Sequence, residues 1–395
     1  MQAVNIGYSP KHAAPPAPHR PPPRLRFRVI TLMVLALALL AAGTGIVALR
    51  SWEDRCLERA SGCGRSASAP PMRVLIDSSA AYGLRYPAAI TVDHGHLWVA
   101  DSAAGSVTEF GWKAGSPPVI WSGQRYDFSR PGAITAGRNE LWIANPGSIT
   151  EMSTIDGKVI RIVTGAHWLD DPRALVLFGH RLWIADARSV AEVNASTGAL
   201  IGVFRARRYG FTDPSALAVS HRRVWVANPA SGSVTELDAV TGAWLATLRD
   251  KRLGLADPIS EVADKTRLWV AGKSSGSVSE IDTTTGKLVR IITGRRYGLA
   301  VPAAMAVVQG RLWVANAGNS SVTEIDASTG HLVLHLAGSR YGFSGPAGVV
   351  AYRDRVWVTN RSSGSVTELI PRSPATSSPV PTPALNTGPS SDVRG

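Results

Sequence analysis

Short apolar runs punctuated by polar turn residues fill most of this chain, and the pattern repeats. Over residues 304–338 the runs read AMAVV, RLWVAN, SVTEID and HLVLHLAG, separated by Gly, Asn and Ser clusters. Each is too short for a stable helix and has the length of a β-strand. Aligned on tryptophan, the unit occurs seven times, at Trp98, Trp142, Trp183, Trp225, Trp269, Trp313 and Trp357, with spacings of 44, 41, 42, 44, 44 and 44 residues. A proline stands eleven places before each, at Pro87, Pro131, Pro172, Pro214, Pro258, Pro302 and Pro346, and no insertion enters that interval. A period in the low forties made of four strands predicts a propeller blade. Between the third and fourth runs stand ASTG (327–330), TTTG (283–286) and AVTG (239–242). Their Gly can take the left-handed position of a hairpin turn, so neighbouring strands are antiparallel.

The count of runs predicts how the ring closes. After Trp357 the last repeat supplies GVVAY, VWVTN and VTELI, then gives way to a Pro-rich tail, while MRVLID (72–77) precedes Pro87 without a blade of its own. With MRVLID as the outer strand of the last blade, the fold is an all-β, seven-bladed β-propeller of four-stranded blades over residues 71–370, and no sheet edge stays open at the join. Each tryptophan then belongs to the core between blades, where burying an indole gives about 4–6 kcal/mol gross. The glutamate of VTE recurs as Glu109, Glu151, Glu192, Glu236, Glu280, Glu324 and Glu368. A carboxylate in every blade points to a structural pair with a neighbouring Arg or a backbone donor, since one reaction site does not need seven copies.

VWVTNRSSGSVTELI (356–370) and RLWVANAGNSSVTEID (311–326) resemble the YVTN and NHL families of propeller repeat, and the likeness covers residues 72–370. The resemblance implies an extracytoplasmic or protein-binding propeller with no common reaction. The layout of Pro, then Leu-Trp, then a polar loop is also similar to the virginiamycin B lyase propellers. That group's acidic residue after the Trp strand and a clear acid and His pair are missing, and the position three after Trp is Asn or Asp in six blades. The lyase activity is therefore not carried over.

The flanks change the picture from a bare propeller to a membrane protein. Residues 29–49 hold no charge over 21 positions, long enough as a helix to cross a bilayer. The first 28 residues carry five Lys or Arg and no acid, so this Pro-rich basic segment is expected in the cytoplasm and the propeller outside the cell membrane. A cleaved signal peptide is the rival reading, because AAGTG offers small residues. Both cysteines, Cys56 and Cys63, fall in a stalk over 50–70, where an oxidising compartment permits a disulfide; two unpaired or intermolecular thiols are the alternative. Residues 371–395 read as a disordered Pro, Ser and Thr-rich tail. The whole chain has a formal charge of +13, but residues 71–370 carry 31 basic and 25 acidic side chains, a net of +6, which argues against a nucleic-acid partner.

Function in a propeller is sought on its loops and in departures from the repeat. Five connectors from outer strand to next inner strand place an Arg beside a bulky side chain, as in Gln124-Arg125-Tyr126, Arg207-Arg208-Tyr209, Lys251-Arg252-Leu253, Arg295-Arg296-Tyr297 and Ser339-Arg340-Tyr341. Either they form a basic, aromatic-studded ring for an anionic polymer or acidic protein, or Tyr wedges between blades while Arg meets the repeated Glu. Blades two and three have loops shortened by two residues, NPGS and DARS, and the connector between them, AHWLDDP, is one residue short. That predicts a notch lined by His167, Trp168, Asp170 and Asp171. In blade five, Glu261 takes the inner-strand position of Ile90, Ile134, Leu175, Leu217, Met305 and Val349, and Gly272 with Lys273 replaces the usual Asn. Glu261 either faces the channel, where Lys273 would complete an acid and base pair, or is turned outward by a bulge. His94 and His96, in the turn DHGH, are the one close histidine pair. No metal-ligand cluster, nucleophile elbow or phosphate loop is present, so no metal or cofactor is indicated.

Three functions fit: a non-catalytic binding or sensing platform for a protein or envelope ligand, a lyase-like enzyme with a site near the channel or notch, and a binder of anionic polymer. The first fits best.

Overall fold

In every blade two residues join the inner strand to the second, and in four blades both take positive φ: His94 and Gly95, Arg138 and Asn139, His221 and Arg222, Gln309 and Gly310. Such turns match the twist of the paired strands and pin their register, so the interval from Pro to Trp admits no insertion. The computed structural model describes residues 72–77, 83–111, 117–249 and 251–371. The segment 1–28 expected in the cytoplasm, the span 29–49 expected to cross the membrane, the expected stalk with Cys56 and Cys63 and the expected tail after 371 lie outside them. Among the described residues, no helix is long and apolar enough to cross a membrane.

Seven four-stranded sheets follow one another along the chain. In blade six they are Pro302–Val308, Arg311–Asn316, Ser321–Asp326 and Leu332–Ala337, each antiparallel to the next. Met72–Asp77 lies antiparallel to Ser365–Pro371, Met72 opposite Pro371 and Asp77 opposite Val366, and so supplies the outer strand of blade seven.

Strand alternation builds the core between blades. Trp98 packs with Leu141 and Ile143 of blade two, Trp142 with Leu182 and Ile184 of blade three, and the pattern runs on to Trp357, which packs with Leu97 and Val99 of blade one. No ring tryptophan exceeds 7% exposure.

The repeated glutamate is a structural ion pair. Its partner stands two residues before the tryptophan: Arg181 for Glu192, Arg223 for Glu236, Arg267 for Glu280 (3.1 Å), Arg311 for Glu324 (3.6 Å), Arg355 for Glu368 (2.6 Å) and His96 for Glu109 (2.7 Å). Because Trp183 lies opposite Glu192, Arg181 is the diagonal neighbour on the same face. Blade two has Glu140 at that position, and Arg161 of its outer strand binds Glu151 instead, at 2.7 Å.

Candidate functional site

The connectors and the loops between second and third strands share one face of the ring, here the connector face; the other two turn types form the hairpin face. Five connectors make one 3-10 turn followed by a left-handed residue, Asp127, Gly210, Gly254, Gly298 or Gly342, and four of them carry a tyrosine. Their tyrosines, Tyr126, Tyr209, Tyr297 and Tyr341, are buried. The threonine of VTE fixes each one: Thr150, Thr235 and Thr323 donate to the Tyr126, Tyr209 and Tyr297 carbonyls at 2.7 Å, and Thr367 to that of Tyr341 at 3.1 Å. Tyrosine is thus a wedge, as the packing alternative held. Arginine departs from that alternative, because the glutamates are already paired. Arg125, Arg208, Arg296 and Arg340 stay exposed and stack on the adjacent Tyr ring with centroid distances of 4.7, 5.2, 4.8 and 4.7 Å.

Three residues after the tryptophan, Asp101, Asp186, Asn228 and Asn360 accept backbone N–H groups of the arriving connector, from Tyr86, Asp171, Thr212 and Ser344 respectively. Asn145 breaks this rule. Its Nδ2 donates to Thr150, while its buried Oδ1, like that of Asn316, has no hydrogen-bond partner. Around Asn145 opens a cavity of about 270 Å³ lined by Ser102, Arg130, Asp171, Arg173 and Arg361 among others, from blades one, two, three and seven.

The sector predicted to hold a notch therefore does open, with different walls. Of the four residues expected there, Asp171 lines the cavity. Trp168 is half-buried, lies over Gly165 and joins the cluster of Ala133, Trp142 and Leu169. His167 and Asp170 are exposed outside the lining. Sequence reasoning passed over Arg130, Asn145, Arg173 and Arg361. A signal existed for two: Arg130 and Arg173 flank Pro131 and Pro172, and no other blade has a basic residue beside that proline.

Glu261 keeps the register of its counterparts, opposite Val270 as Ile90 is opposite Val99 and Met305 opposite Val314. The shift between Pro258 and Ser260 recurs in blades one, six and seven, so no slip peculiar to blade five turns Glu261 outward. It is 8% exposed, neither oxygen has a hydrogen-bond partner, and burial pushes its pKa well up. Lys273 is exposed and makes no bond to it, so the acid and base pair is not formed. His94 sits beside Asp93 (3.0 Å) and His96 on Glu109, both on the hairpin face.

No family profile and no curated protein matches the sequence. Solved structures do. Virginiamycin B lyase from Staphylococcus aureus superposes with a TM-score of 0.65 at 12% identity, over 76% of this chain and 99% of that one. A catalytically inactive histidine-to-alanine variant of the same lyase, with quinupristin, gives 0.63 at 14%, with the same coverage. The WD40 propeller domain of Doa1 gives 0.61 at 11%, over 75% and 97%. At such identities the shared feature is the fold.

Chemically, the connector face offers guanidinium donors, an unused amide acceptor and stacked aromatic rings. Among the described residues, no group of three His, Cys, Asp or Glu could hold a metal ion.

Proposed function

We propose that this protein is a non-catalytic binding or sensing platform, a YVTN or NHL-like propeller held outside the cell membrane by the apolar segment 29–49, with its ligand, a protein or envelope component, on the connector face. The observation that carries this reading is the division of labour among polar side chains. The recurrent Glu, Thr and Asn or Asp hold the blades and connectors in place, while the exposed Arg on buried Tyr and the arginine-lined cavity remain for recognition. Photo-crosslinkers placed in the full-length membrane-embedded protein at Arg208 and Arg296, and at Thr241 and Lys287 on the hairpin face, test it. Adducts from the first pair are expected, and adducts confined to the second pair overturn it. Protease added to intact cells should digest the propeller; digestion from the cytoplasmic side alone reverses the topology.

The lyase-like reading is favoured by the near-complete coverage of virginiamycin B lyase. A histidine-to-alanine variant of that lyase is inactive. Here His167 is the one described histidine within a connector, and it has no hydrogen-bond or ion-pair partner among the described residues. Turnover of quinupristin that is lost in His167→Ala or Glu261→Gln would replace the binding reading with this one.

A further inference from the structure

The connector-face cavity departs from the repeat in ways that all concern charge and unused hydrogen bonds. Arg130 and Arg173 arise from the connectors into blades two and three, and Arg361 directly follows Asn360 of blade seven, a position at which blade five alone has another basic residue, Lys273. Three guanidinium groups from three blades thus line one cavity. Arg173 is held by Asp171, at 3.1 Å, and by Asp213. Both carboxylates are engaged there. Arg130 is exposed and has no ion-pair partner among the described residues. Arg361 lies over the Tyr86 ring at 4.8 Å, and its buried Nε has no hydrogen-bond partner. Two cations therefore remain uncompensated. Beside them Asn145, 1% exposed, leaves Oδ1 without a donor.

Buried polar atoms are nearly always bonded to protein, water or ligand, so an unpaired donor and an unpaired acceptor on one cavity describe what should enter it. Guanidinium groups suit planar or tetrahedral oxyanions through paired N–H donors. An amide oxygen suits a hydroxyl or N–H. The volume of about 270 Å³ lies just below the usual range of small-molecule sites, which begins near ~300 Å³. That leaves room for one sugar or amino-acid unit, free or at the end of a longer chain.

We infer that the cavity binds a small oxyanion-bearing ligand, a carboxylate or phosphate joined to a hydroxyl or amide donor, with Arg130 and Arg361 on the oxyanion and Asn145 Oδ1 on the donor. This rests on the binding-platform reading and names its ligand class.

The test is calorimetric titration of the full-length protein in detergent with glucose 6-phosphate, glucuronate, inorganic phosphate and glucose. Glucose 6-phosphate or glucuronate should bind and glucose should not, and preference between the two anions separates a phosphate from a carboxylate source. Arg361→Gln and Arg130→Gln should each weaken the preferred anion by about tenfold, the loss of one charge-assisted pair. Asn145→Asp should do the same with the fold intact, because Asp101 and Asp186 stand at the equivalent place in blades one and three. Lys287→Gln, on the hairpin face, should change nothing, and Tm monitors folding throughout. Equal binding of glucose, indifference to Arg361→Gln, or no binding of either sugar anion up to about 10 mM overturns the inference. Crosslinked partner capture that survives while every anion arm fails sinks the cavity inference alone. Anion binding without capture sinks the platform reading instead.

Discussion

Two places before its tryptophan, blade two carries Glu140 where five blades carry Arg and blade one His. The substitution sets two carboxylates near one another. Burial raises the Glu151 pKa most, Arg161 opposes it, and Glu140 adds to the rise, bringing it to about 7 from 4.5. Burial also raises Glu192, Glu280 and Glu324 against the pull of their arginines. A carboxyl with a raised folded-state pKa binds its proton more tightly when folded, so its stabilising contribution is full below pH 4.5 and is lost as pH climbs through about 7. Tm should accordingly fall across that interval, with a slope of at most about 1.4 kcal/mol per pH unit for each group. Glu140→Arg restores the pairing of the other blades, so carboxyl NMR should show Glu151 titrating lower and the Tm slope flattening; an unchanged Glu151 titration would reject the pairing. Glu261 acts in the same sense without any partner. Glu261→Met, copying Met305 of blade six, removes an unsatisfied buried carboxyl and should stabilise by about 1–3 kcal/mol, with the gain growing as pH rises. Denaturant titration at acidic and neutral pH measures it, and a loss of stability at neutral pH would show that Glu261 has a bonding role.

At the level of the strand, closure depends on six residues. Without Met72–Asp77, the strand Ser365–Pro371 becomes an open edge with a row of unpaired backbone groups. Deleting 72–77 should therefore lower Tm by about 10 °C, several kcal/mol at roughly 2–4 °C each, and promote self-association. Calorimetry and size exclusion read both effects, and an unaltered monomeric Tm would mean that the clasp is dispensable. This element was legible in the sequence because a blade uses a fixed number of strands, so MRVLID and the unfinished last repeat could be counted against each other. The tryptophan ring was legible for a similar reason, since side chains alternate along a strand. The glutamate partner needed one more step, the antiparallel register that puts Arg181 diagonal to Glu192. Local pattern announced the cavity only in part, through the short loops of blades two and three and through Arg130 and Arg173 beside their prolines. Arg361 and Arg173 lie far apart in the chain and meet only when the ring closes, and nothing around Asn145 foretells that Ser129 N–H turns to the Asp127 carbonyl. Arg stacking on its own Tyr was hidden by a competing, equally physical expectation, the repeated Glu.

Across the whole ring, the propeller region's net charge of +6 matters less than where its exposed cations stand. Arg208, Arg296 and Arg340 are each held over a buried tyrosine, so they project from fixed points on one face. Lys158, Lys265 and Lys287 lie in turns of the other face. A field made by net charge attracts an anionic polymer equally after the loss of any three cations, whereas a patterned face does not. Two triple variants separate these cases, Arg208, Arg296 and Arg340→Ala against Lys158, Lys265 and Lys287→Ala, because each removes three positive charges. On a polyanion column the connector-face variant should elute at clearly lower salt and the hairpin-face variant near the parent. Stability should drop only modestly in the first, since an exposed cation over an aromatic ring contributes about 0.5–1 kcal/mol. Equal shifts in both variants would reduce the attraction to bulk charge, and the arginine ring would then be a packing device that holds the tyrosine wedges in place.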